Sequence, residues 1–415
     1  MSAFEPSLDR LWERGSLRWQ RRSAPDAVPL TIAELDVRTP PFVLDAVMGR
    51  LTGTGVGYYD PAALRERCAE FGERVFGITG FAWSRTCSDT LQACRTVVDA
   101  LVATDGTVVV EEPLYPDLRR LARYPRRRLL TVPAPPVPGA PADWELIATT
   151  LKAADCALLC HPHNPLATAW SAGGIDRFLE LAARARCAVV VDEVHLPLSG
   201  RPSFMSRAAG HDAPVVVCTS LSKSIGSSGT KTGFAYANAA AAERIGGLPD
   251  EAFPSPDTFG AAISLAFLDH GAGWLPRVRA ELDANRAALA SFLPELGIGV
   301  ALAPGVTGLI GWIEDESDHL SRLLSMARVD LLPASHYGSG PGSGWRISYG
   351  VHHDILDLVF DRLRQARHED LGALSEPRPG PRLPGEAIRN VATVTALVAR
   401  GCAPRERKLQ AERPE

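Results

Sequence analysis

The stretch PVVVCTSLSKSIGSSGTKTG, residues 214–233, says most about how this chain folds and what it binds. Its β-branched start predicts a short buried strand over residues 214–220. Small and hydroxylated residues follow, and they surround Lys223 and Lys231. Ser220 and Lys231 offer a hydroxyl and a positive charge to a phosphate, and the glycines between them let the backbone approach it closely. Lys223 is then free to form an imine.

Lysine is rare in the rest of the sequence. Of 44 basic residues only four are lysines, at positions 152, 223, 231 and 408. The alternative interpretation of the lysine-bearing part of the stretch is a flexible surface loop. We favour the chemical interpretation because two of the four lysines lie in this one loop.

Short apolar strands and helices alternate along most of the chain. The pattern predicts helices at 90–103 and 171–186 and strands at 107–112, 155–160, 187–193, 214–220 and 234–238. Strands that are apolar on both faces and separated by helices are typical of a mainly parallel sheet that is covered on both sides. The sequence therefore predicts an α/β fold.

Polar side chains stand at the ends of two neighbouring strands, where ligands bind in such sheets. Asn164 follows one strand, and Asp192 and His195 follow the next. The 28-residue offset between Asn164 and Asp192 fits one helix and one strand, so both side chains can face one pocket. Taken singly, Asn164 is more often a turn residue, Asp192 a turn or helix cap, and His195 a packed histidine.

These motifs together resemble those of the fold-type-I pyridoxal-phosphate (PLP) enzymes, the aspartate aminotransferase superfamily. The resemblance covers roughly residues 28–365, and the motifs occur in the family's order. It implies a large domain with a mostly parallel sheet between helices, and a smaller α/β C-terminal domain. It also implies PLP as the cofactor, with Lys223 as the lysine that holds it.

The resemblance implies a role for each motif. HPHNPLATAW (161–170) places Asn164 on the cofactor's phenolic oxygen, and VVVDEVHLPL (189–198) places Asp192 on the pyridine nitrogen. An ionised Asp192 keeps that nitrogen protonated and makes the ring a better electron sink. EEPLYPDL (111–118) supplies Tyr115, which stacks on the ring. The implied cofactor-binding residues are Ser88, Asp89, Thr90, Tyr115, Asn164, Asp192, His195, Ser220, Ser222, Lys223 and Lys231.

Two further motifs concern the substrate and a partner subunit. WRISYG (345–350) supplies Arg346, whose fork suits the substrate carboxylate, with Ala33 and Glu34 as further substrate-binding residues. GVGYYDP (55–61) supplies Tyr58, which in the family reaches the phosphate of the neighbouring subunit. Lys223 and Tyr58 are the implied catalytic residues. We therefore expect a homodimer with shared active sites.

Within the superfamily the chain most resembles the MalY/PatB-like C–S lyases of the cystathionine β-lyase type. LTIAELDVRTPP (30–41), the segment 161–165 and His195 carry this resemblance, since ordinary aminotransferases usually have tyrosine at the last position. It implies β-elimination from a sulfur-containing amino acid, a cysteine S-conjugate or cystathionine, to give a thiol, pyruvate and ammonia. The first alternative is a class I/II aminotransferase. The second is an antibiotic-biosynthesis enzyme that performs decarboxylation-dependent oxidative deamination of a cysteinyl conjugate in a lincosamide-like pathway. The third is a regulatory protein that keeps PLP without catalysis.

The chain also departs from the family. Residues 86–90, TCSDT, replace the usual small-Gly-Val-Val/Thr run. Asp89 puts a carboxylate near the phosphate, which is unfavourable unless its side chain turns away to cap the following helix. His161 replaces an asparagine, Ala167-Thr168 replace Gly-Arg, and Lys231 replaces an arginine. These differences leave the cofactor chemistry intact but argue against the usual housekeeping substrate.

Composition argues against several other classes of function. The net charge of −4 predicts no nucleic-acid partner, and the sequence has no apolar run long enough to cross a membrane. The eight cysteines form no CxxC pair, and His161 and His163 lack a carboxylate partner, so we expect no metal. The N-terminus has no apolar core of a secretion signal, and we expect a cytoplasmic protein.

Four regions are predicted along the chain. They are an N-terminal arm at residues 1–41, a large PLP-binding domain at 42–284, a small C-terminal domain at 285–367, and a proline-rich linker and tail at 368–415.

Overall fold

The structure is a computed structural model of the whole chain. It describes residues 2–53, 55–135, 141–209, 211–298, 300–301, 308–315, 319–338 and 344–375. The described residues up to 367 form one compact unit, and residues 368–375 belong to a second. The predicted tail from residue 376 onward lies outside the described residues. The predicted division of residues 1–367 into an arm and two domains stays a prediction.

The strands fall into three sheets. They are β1 (Val28–Pro29), β2 (Trp83–Cys87), β3 (Thr107–Glu112), β4 (Arg128–Pro133), β5 (Cys156–Cys160), β6 (Ala188–Asp192), β7 (Val215–Thr219), β8 (Gly233–Ala237), β9 (Val300–Ala301), β10 (Ile310–Glu314), β11 (Val329–Asp330), β12 (Leu332–Pro333) and β13 (Gly344–Ser348). The largest sheet has seven strands in the order β2-β8-β7-β6-β5-β3-β4. Only β8 runs against its neighbours in it.

Helices separate most of the strands. They are α1 (Leu8–Glu13), α2 (Leu17–Gln20), α3 (Pro41–Thr52), α4 (Ala62–Glu66), α5 (Cys68–Arg74), α6 (Thr90–Leu101), α7 (Pro116–Arg123), α8 (Trp144–Lys152), α9 (Ala172–Ala185), α10 (Leu196–Ser199), α11 (Phe204–Ala208), α12 (Ala239–Ile245), α13 (Thr258–His270), α14 (Trp274–Phe292), α15 (His319–Ala327) and α16 (His353–Ser375). Short 3₁₀ turns lie at Asp250–Ala252, Leu293–Leu296 and Ala334–Tyr337.

Both faces of the seven-stranded sheet are buried, as the continuous apolar runs predicted. Along β6, Val189 and Val191 pack into one apolar cluster, and Val190 packs into another. The first cluster includes the inner face of α9, with Phe178, and the second includes α6, with Val97. The predicted α/β class with a mostly parallel, doubly covered sheet is therefore confirmed.

A smaller antiparallel sheet, in the order β12-β13-β10-β9, lies later in the chain. In a separate two-stranded sheet, β1 of the N-terminal segment pairs in parallel with β11, which lies just before β12 in the chain. The backbone N–H of Ser348 then donates to the Leu30 carbonyl at 2.8 Å, and that of Asp36 donates to the Gly350 carbonyl at 2.8 Å. The segment between Leu30 and Asp36 is thus held beside β13, the strand that carries Arg346. Within the described ranges, no helix combines the length and apolar character of a membrane span.

Candidate active site

The register of three parallel strands brings the predicted site residues together. Cys160 at the end of β5 pairs with Asp192 at the end of β6, which pairs with Cys218 near the end of β7. The loops that follow these strands therefore start side by side at one edge of the sheet. Asn164 lies on the first loop, His195 on the second and Lys223 on the third.

Lys223 is half-buried on the loop that follows β7. Desolvation of its amine lowers its pKa, and the positive charge of Arg346 adds to the shift. The carboxylates of Glu34 and Asp192 act in the opposite direction. A lowered pKa increases the fraction of neutral amine, which is the form that attacks a carbonyl group.

Asp192 and His195 are buried beside that amine. Desolvation raises the pKa of Asp192 to about 6, although a hydrogen bond from the Val194 N–H, at 3.0 Å, favours the charged form. Desolvation lowers the pKa of His195 to about 3, with further contributions from Lys223 and Arg346. His195 is therefore neutral near pH 7, and Asp192 is mostly ionised.

Arg346 contacts both the loop that carries Asn164 and the N-terminal segment that carries Thr31. Its Nη1 donates to Asn164 Oδ1 at 3.0 Å, its Nη2 donates to the Thr31 carbonyl, and its guanidinium lies 5.3 Å from the centre of the Tyr337 ring. Its Nε is buried without a protein partner. Because Asn164 accepts through Oδ1, its amide NH₂ is left to donate, as a phenolic oxygen of the cofactor requires.

The start of α6 is where the sequence predicts the phosphate site. Asp89 caps this helix, since its Oδ1 accepts from the Gln92 N–H at 2.8 Å. The capping arrangement is the one under which we expected a carboxylate to be tolerated here. Its other oxygen, Oδ2, lies 3.3 Å from Lys231 Nζ. A Cβ atom on Gly233 would come within 2.7 Å of the Asp89 carbonyl carbon, so only glycine permits this close approach.

The residues present fit PLP. The Thr90 hydroxyl at the helix start is buried without a protein partner, which fits an acceptor oxygen of a phosphate. A helix N-terminus with a lysine beside it is a suitable anion site. Asp192 offers a carboxylate to a ring nitrogen, and Lys223 is the nearby amine.

The other predicted phosphate residues have partners within the chain. Ser220 Oγ donates to the Thr232 carbonyl at 2.6 Å and accepts from the Ser222 N–H at 3.0 Å. Ser88 is half-buried directly before Asp89. Their approach to a bound phosphate stays a prediction.

Tyr115 and Tyr58 have different surroundings. The Tyr115 backbone N–H donates to the Asn164 carbonyl at 3.1 Å, and its hydroxyl donates to the Asp117 carboxylate. Tyr115 therefore lies directly before α7, next to Asn164. Tyr58 is fully exposed and is not brought to the site of its own chain. Its predicted role across a subunit interface stays a prediction.

Some residues at the candidate site were not predicted from the sequence. The Thr31 carbonyl is a backbone group and carries no side-chain signature, and Tyr337 stands in no motif. His163 is fully buried, both of its ring nitrogens lack a protein partner, and burial lowers its pKa to about 3. Its position in HPHNP was the signal available. Among the described residues, the side chains that cluster at metal-binding distances are those of His352, His353 and Asp354, at the start of α16.

The chain matches a known protein family over most of its length. Residues 26–363 match the model of the family "Aminotransferase class I and II". The chain belongs to this family, and the predicted superfamily is confirmed.

The chain is also similar to individual proteins and to solved structures. The chain is 26% identical to cystathionine beta-lyase PatB of Bacillus subtilis (strain 168), over 88% of this chain and 99% of the relative. It is 26% identical to cystathionine beta-lyase of Corynebacterium glutamicum, over 74% of this chain and 84% of the relative. Among solved structures, cystalysin of Treponema denticola, which contains pyridoxal 5'-phosphate, matches with a TM-score of 0.77 and 18% identity, over 89% of this chain and 99% of that chain. This last likeness shows the fold.

Proposed function

We propose that the protein is a PLP-dependent carbon–sulfur β-lyase that cleaves a cysteine S-conjugate or cystathionine to a thiol, pyruvate and ammonia. The observation that carries the proposal is the meeting of Lys223, Asp192 and Arg346 at one edge of the sheet, in a chain with relatives named cystathionine beta-lyase. When bound, PLP supplies an electron sink for the electron pair left at Cα of the substrate.

The residues of the chain divide the remaining work. Arg346 binds the substrate carboxylate through the N–H groups that Asn164 and Thr31 leave free. The neutral amine of Lys223 removes the proton from Cα. Asp192 would offer its negative charge to the ring nitrogen of the cofactor, and the buried His195 ring stays neutral near Lys223.

A product assay tests this proposal. The purified protein is expected to show the visible absorbance of bound PLP and to release pyruvate and a thiol from L-cystathionine or an S-alkyl-L-cysteine. Lys223→Ala is expected to abolish both signals. Lys152→Ala is the matched control, because Lys152 lies in the last turn of α8 on the protein surface. Absence of pyruvate and thiol across a panel of cysteine conjugates contradicts the lyase proposal.

The aminotransferase function is the second candidate, and the family match favours it. A keto acid that keeps the substrate sulfur, formed together with pyridoxamine phosphate, identifies this function. Release of carbon dioxide and ammonia together with an aldehyde, at the expense of O2 that is reduced to hydrogen peroxide, identifies the decarboxylation-dependent oxidative deamination of the antibiotic-biosynthesis alternative.

We also propose a homodimer with shared active sites. Leu44, Met48 and Leu51 recur on one face of α3 with their side chains about half exposed, and exposed Val56 and Tyr58 follow closely. An exposed apolar cluster of this kind is typical of a protein interface. The mass in solution and a mixing experiment test the proposal: Lys223→Ala and Tyr58→Ala protomers, each impaired alone, are expected to regain activity when mixed and refolded. A fully active monomer contradicts it.

A cytoplasmic localisation remains part of the proposal. The cysteines that the structure describes are buried and unbonded, which suits a reducing compartment. Fractionation of the native host with immunodetection checks it.

A further inference from the structure

Arg18 is an arginine with a side-chain exposure of 0%, on the N-terminal helix α2. Its Nε donates to the Pro29 carbonyl at 2.8 Å and its Nη1 to the Glu34 carbonyl at 2.9 Å. Its Nη2 lies 3.4 Å from Asp36 Oδ2. A single guanidinium therefore holds three positions of one short segment, residues 29–36, which we call the arm loop.

The arm loop is also fixed from its other side. The Leu30 carbonyl accepts from the Ser348 N–H, and the Asp36 N–H donates to the Gly350 carbonyl, both at 2.8 Å. These two bonds lie before and after Thr31 in the arm loop, and the Thr31 carbonyl accepts from Arg346. Trp19 Nε1 lies 3.2 Å from each carboxylate oxygen of Asp36, which orients the partner of Arg18.

Thr31, which lies between these attachment points, is one of the two groups that orient Arg346. The Thr31 carbonyl accepts from Arg346 Nη2, and Asn164 Oδ1 accepts from Nη1. These two acceptors set the plane of the guanidinium, and the N–H groups that remain on it determine where a carboxylate can bind in the two-bond arrangement. Moving the Thr31 carbonyl therefore tilts the carboxylate-binding group itself.

We propose that Arg18 and Asp36 are positioning residues for substrate recognition: they hold the arm loop so that Thr31 fixes the orientation of Arg346 and Glu34 stands on the substrate side of the site. The inference rests on the proposed function, because it assigns the substrate carboxylate to Arg346. Arginine is required at position 18, since its planar fork serves two carbonyls and a carboxylate together, whereas a lysine ammonium cannot match that geometry.

The experiment separates recognition of the carboxylate from stability of the fold. PLP-loaded wild type and Arg18→Lys are titrated with L-alanine, which lacks a sulfur leaving group, and with ethylamine, which is alanine without its carboxyl group. Changes in PLP absorbance report binding of each amine. For Arg18→Lys we expect the Kd of L-alanine to rise about tenfold, equivalent to about 1.4 kcal/mol, and the Kd of ethylamine to stay unchanged.

Arg127→Lys is the matched control. Arg127 is also buried, donates to the carbonyls of Ala103, Tyr124 and Val102, and pairs with Asp99 at 2.8 Å. It lies just before β4, at the amino end of a strand rather than at the carboxyl edge that holds the site. Arg127→Lys is expected to lower the unfolding temperature without changing the affinity for either amine.

Several results overturn the inference. Unchanged affinity of Arg18→Lys for L-alanine does so, and so does an equal loss for L-alanine and ethylamine. Asp36→Asn provides a second variant that keeps the side-chain volume and is expected to show the same selective loss. If both variants fail to fold, the pair is a determinant of the fold and the positioning role is refuted. Wild type that never binds PLP contradicts the proposed function instead, which is a different outcome.

Discussion

Replacing Asp89 with asparagine is expected to tighten the binding of PLP. The Asp89 carboxylate engages two groups that a phosphate also needs: the Gln92 N–H in the first turn of α6, at 2.8 Å, and Lys231 Nζ, at 3.3 Å. It also places a negative charge at the proposed phosphate site, and a phosphate ester carries a charge of roughly −1.5 to −2. Asparagine removes the charge and remains a good helix cap.

The size of the effect follows from the exposure of the pair. The side chains of Asp89 and Lys231 are 31% and 57% exposed, so solvent screens their interaction. Exposed ion pairs of this kind contribute about 0–1 kcal/mol. Releasing Lys231 and removing the repulsion of the phosphate together are therefore expected to give about 1 kcal/mol, or roughly fivefold tighter binding. The gain is expected to shrink as salt is raised.

Equilibrium dialysis of apoprotein against PLP measures this change. Asp143→Asn is the matched control, because Asp143 caps α8 in the same way, accepting from the Leu146 N–H at 2.9 Å, away from the site. In the apo state Asp143→Asn is expected to unfold at the wild-type temperature, and Asp89→Asn at that temperature or slightly below it because the exposed pair with Lys231 is lost. Equal or weaker PLP binding by Asp89→Asn, with unchanged folding, refutes the view that this carboxylate competes with the phosphate.

Three further predictions concern neighbouring groups. Because desolvation raises the pKa of Asp192 from 3.8 to about 6, its ionisation destabilises folded apoprotein as the pH rises through that range, by up to about 3 kcal/mol. Apo Asp192→Asn should therefore have a higher unfolding temperature than wild type at pH 7 and an equal one below pH 4; equal values at pH 7 contradict this. Arg346→Lys loses the fork held by Asn164 and Thr31, and steady-state kinetics should show kcat/KM reduced by at least about tenfold, for a loss of about 1.5–3 kcal/mol; an unchanged value contradicts the assigned role. Gly233→Ala drives a Cβ to within 2.7 Å of the Asp89 carbonyl carbon, so PLP titration should show weaker binding; wild-type affinity contradicts this.

Local sequence patterns predicted the centre of the large sheet and missed its edges. β5, β6 and β7 are buried on both faces, so they read as continuous apolar runs. β2, with the sequence WSRTC, and β4, with RLLTVP, lie at the two edges of the sheet and are partly exposed. Their mixed composition gives no comparable signal, because only one face has to be apolar. Neither edge strand was predicted.

The candidate site shows the same division between local and long-range information. Asn164, Asp192 and Lys223 follow strands whose order along the chain matches their order in the sheet, so strand ends and spacing sufficed to group them. Arg346 reaches them from a different sheet, and its contact with the Thr31 carbonyl joins positions 315 residues apart. Nothing in local periodicity specifies a contact of that kind. The role of Arg346 was inferred from the resemblance to a known family, whereas the contacts of Thr31 and Arg18 are visible only in the three-dimensional structure.

The groups that fit the cofactor and the groups assigned to the substrate lie on different parts of the fold. The groups that fit the cofactor, Lys223, Asp192 and the start of α6, stand on the large sheet and its helices. The groups assigned to the substrate, Arg346 on β13 and the arm loop, stand on the smaller sheet and on the N-terminal segment beside it. Substitutions among the groups assigned to the substrate can therefore alter substrate affinity while PLP stays bound. Asn164 links these groups to the cofactor groups, because its side chain accepts a hydrogen bond from Arg346. Asn164 variants should for this reason change both affinities together, which distinguishes them from Arg18 variants.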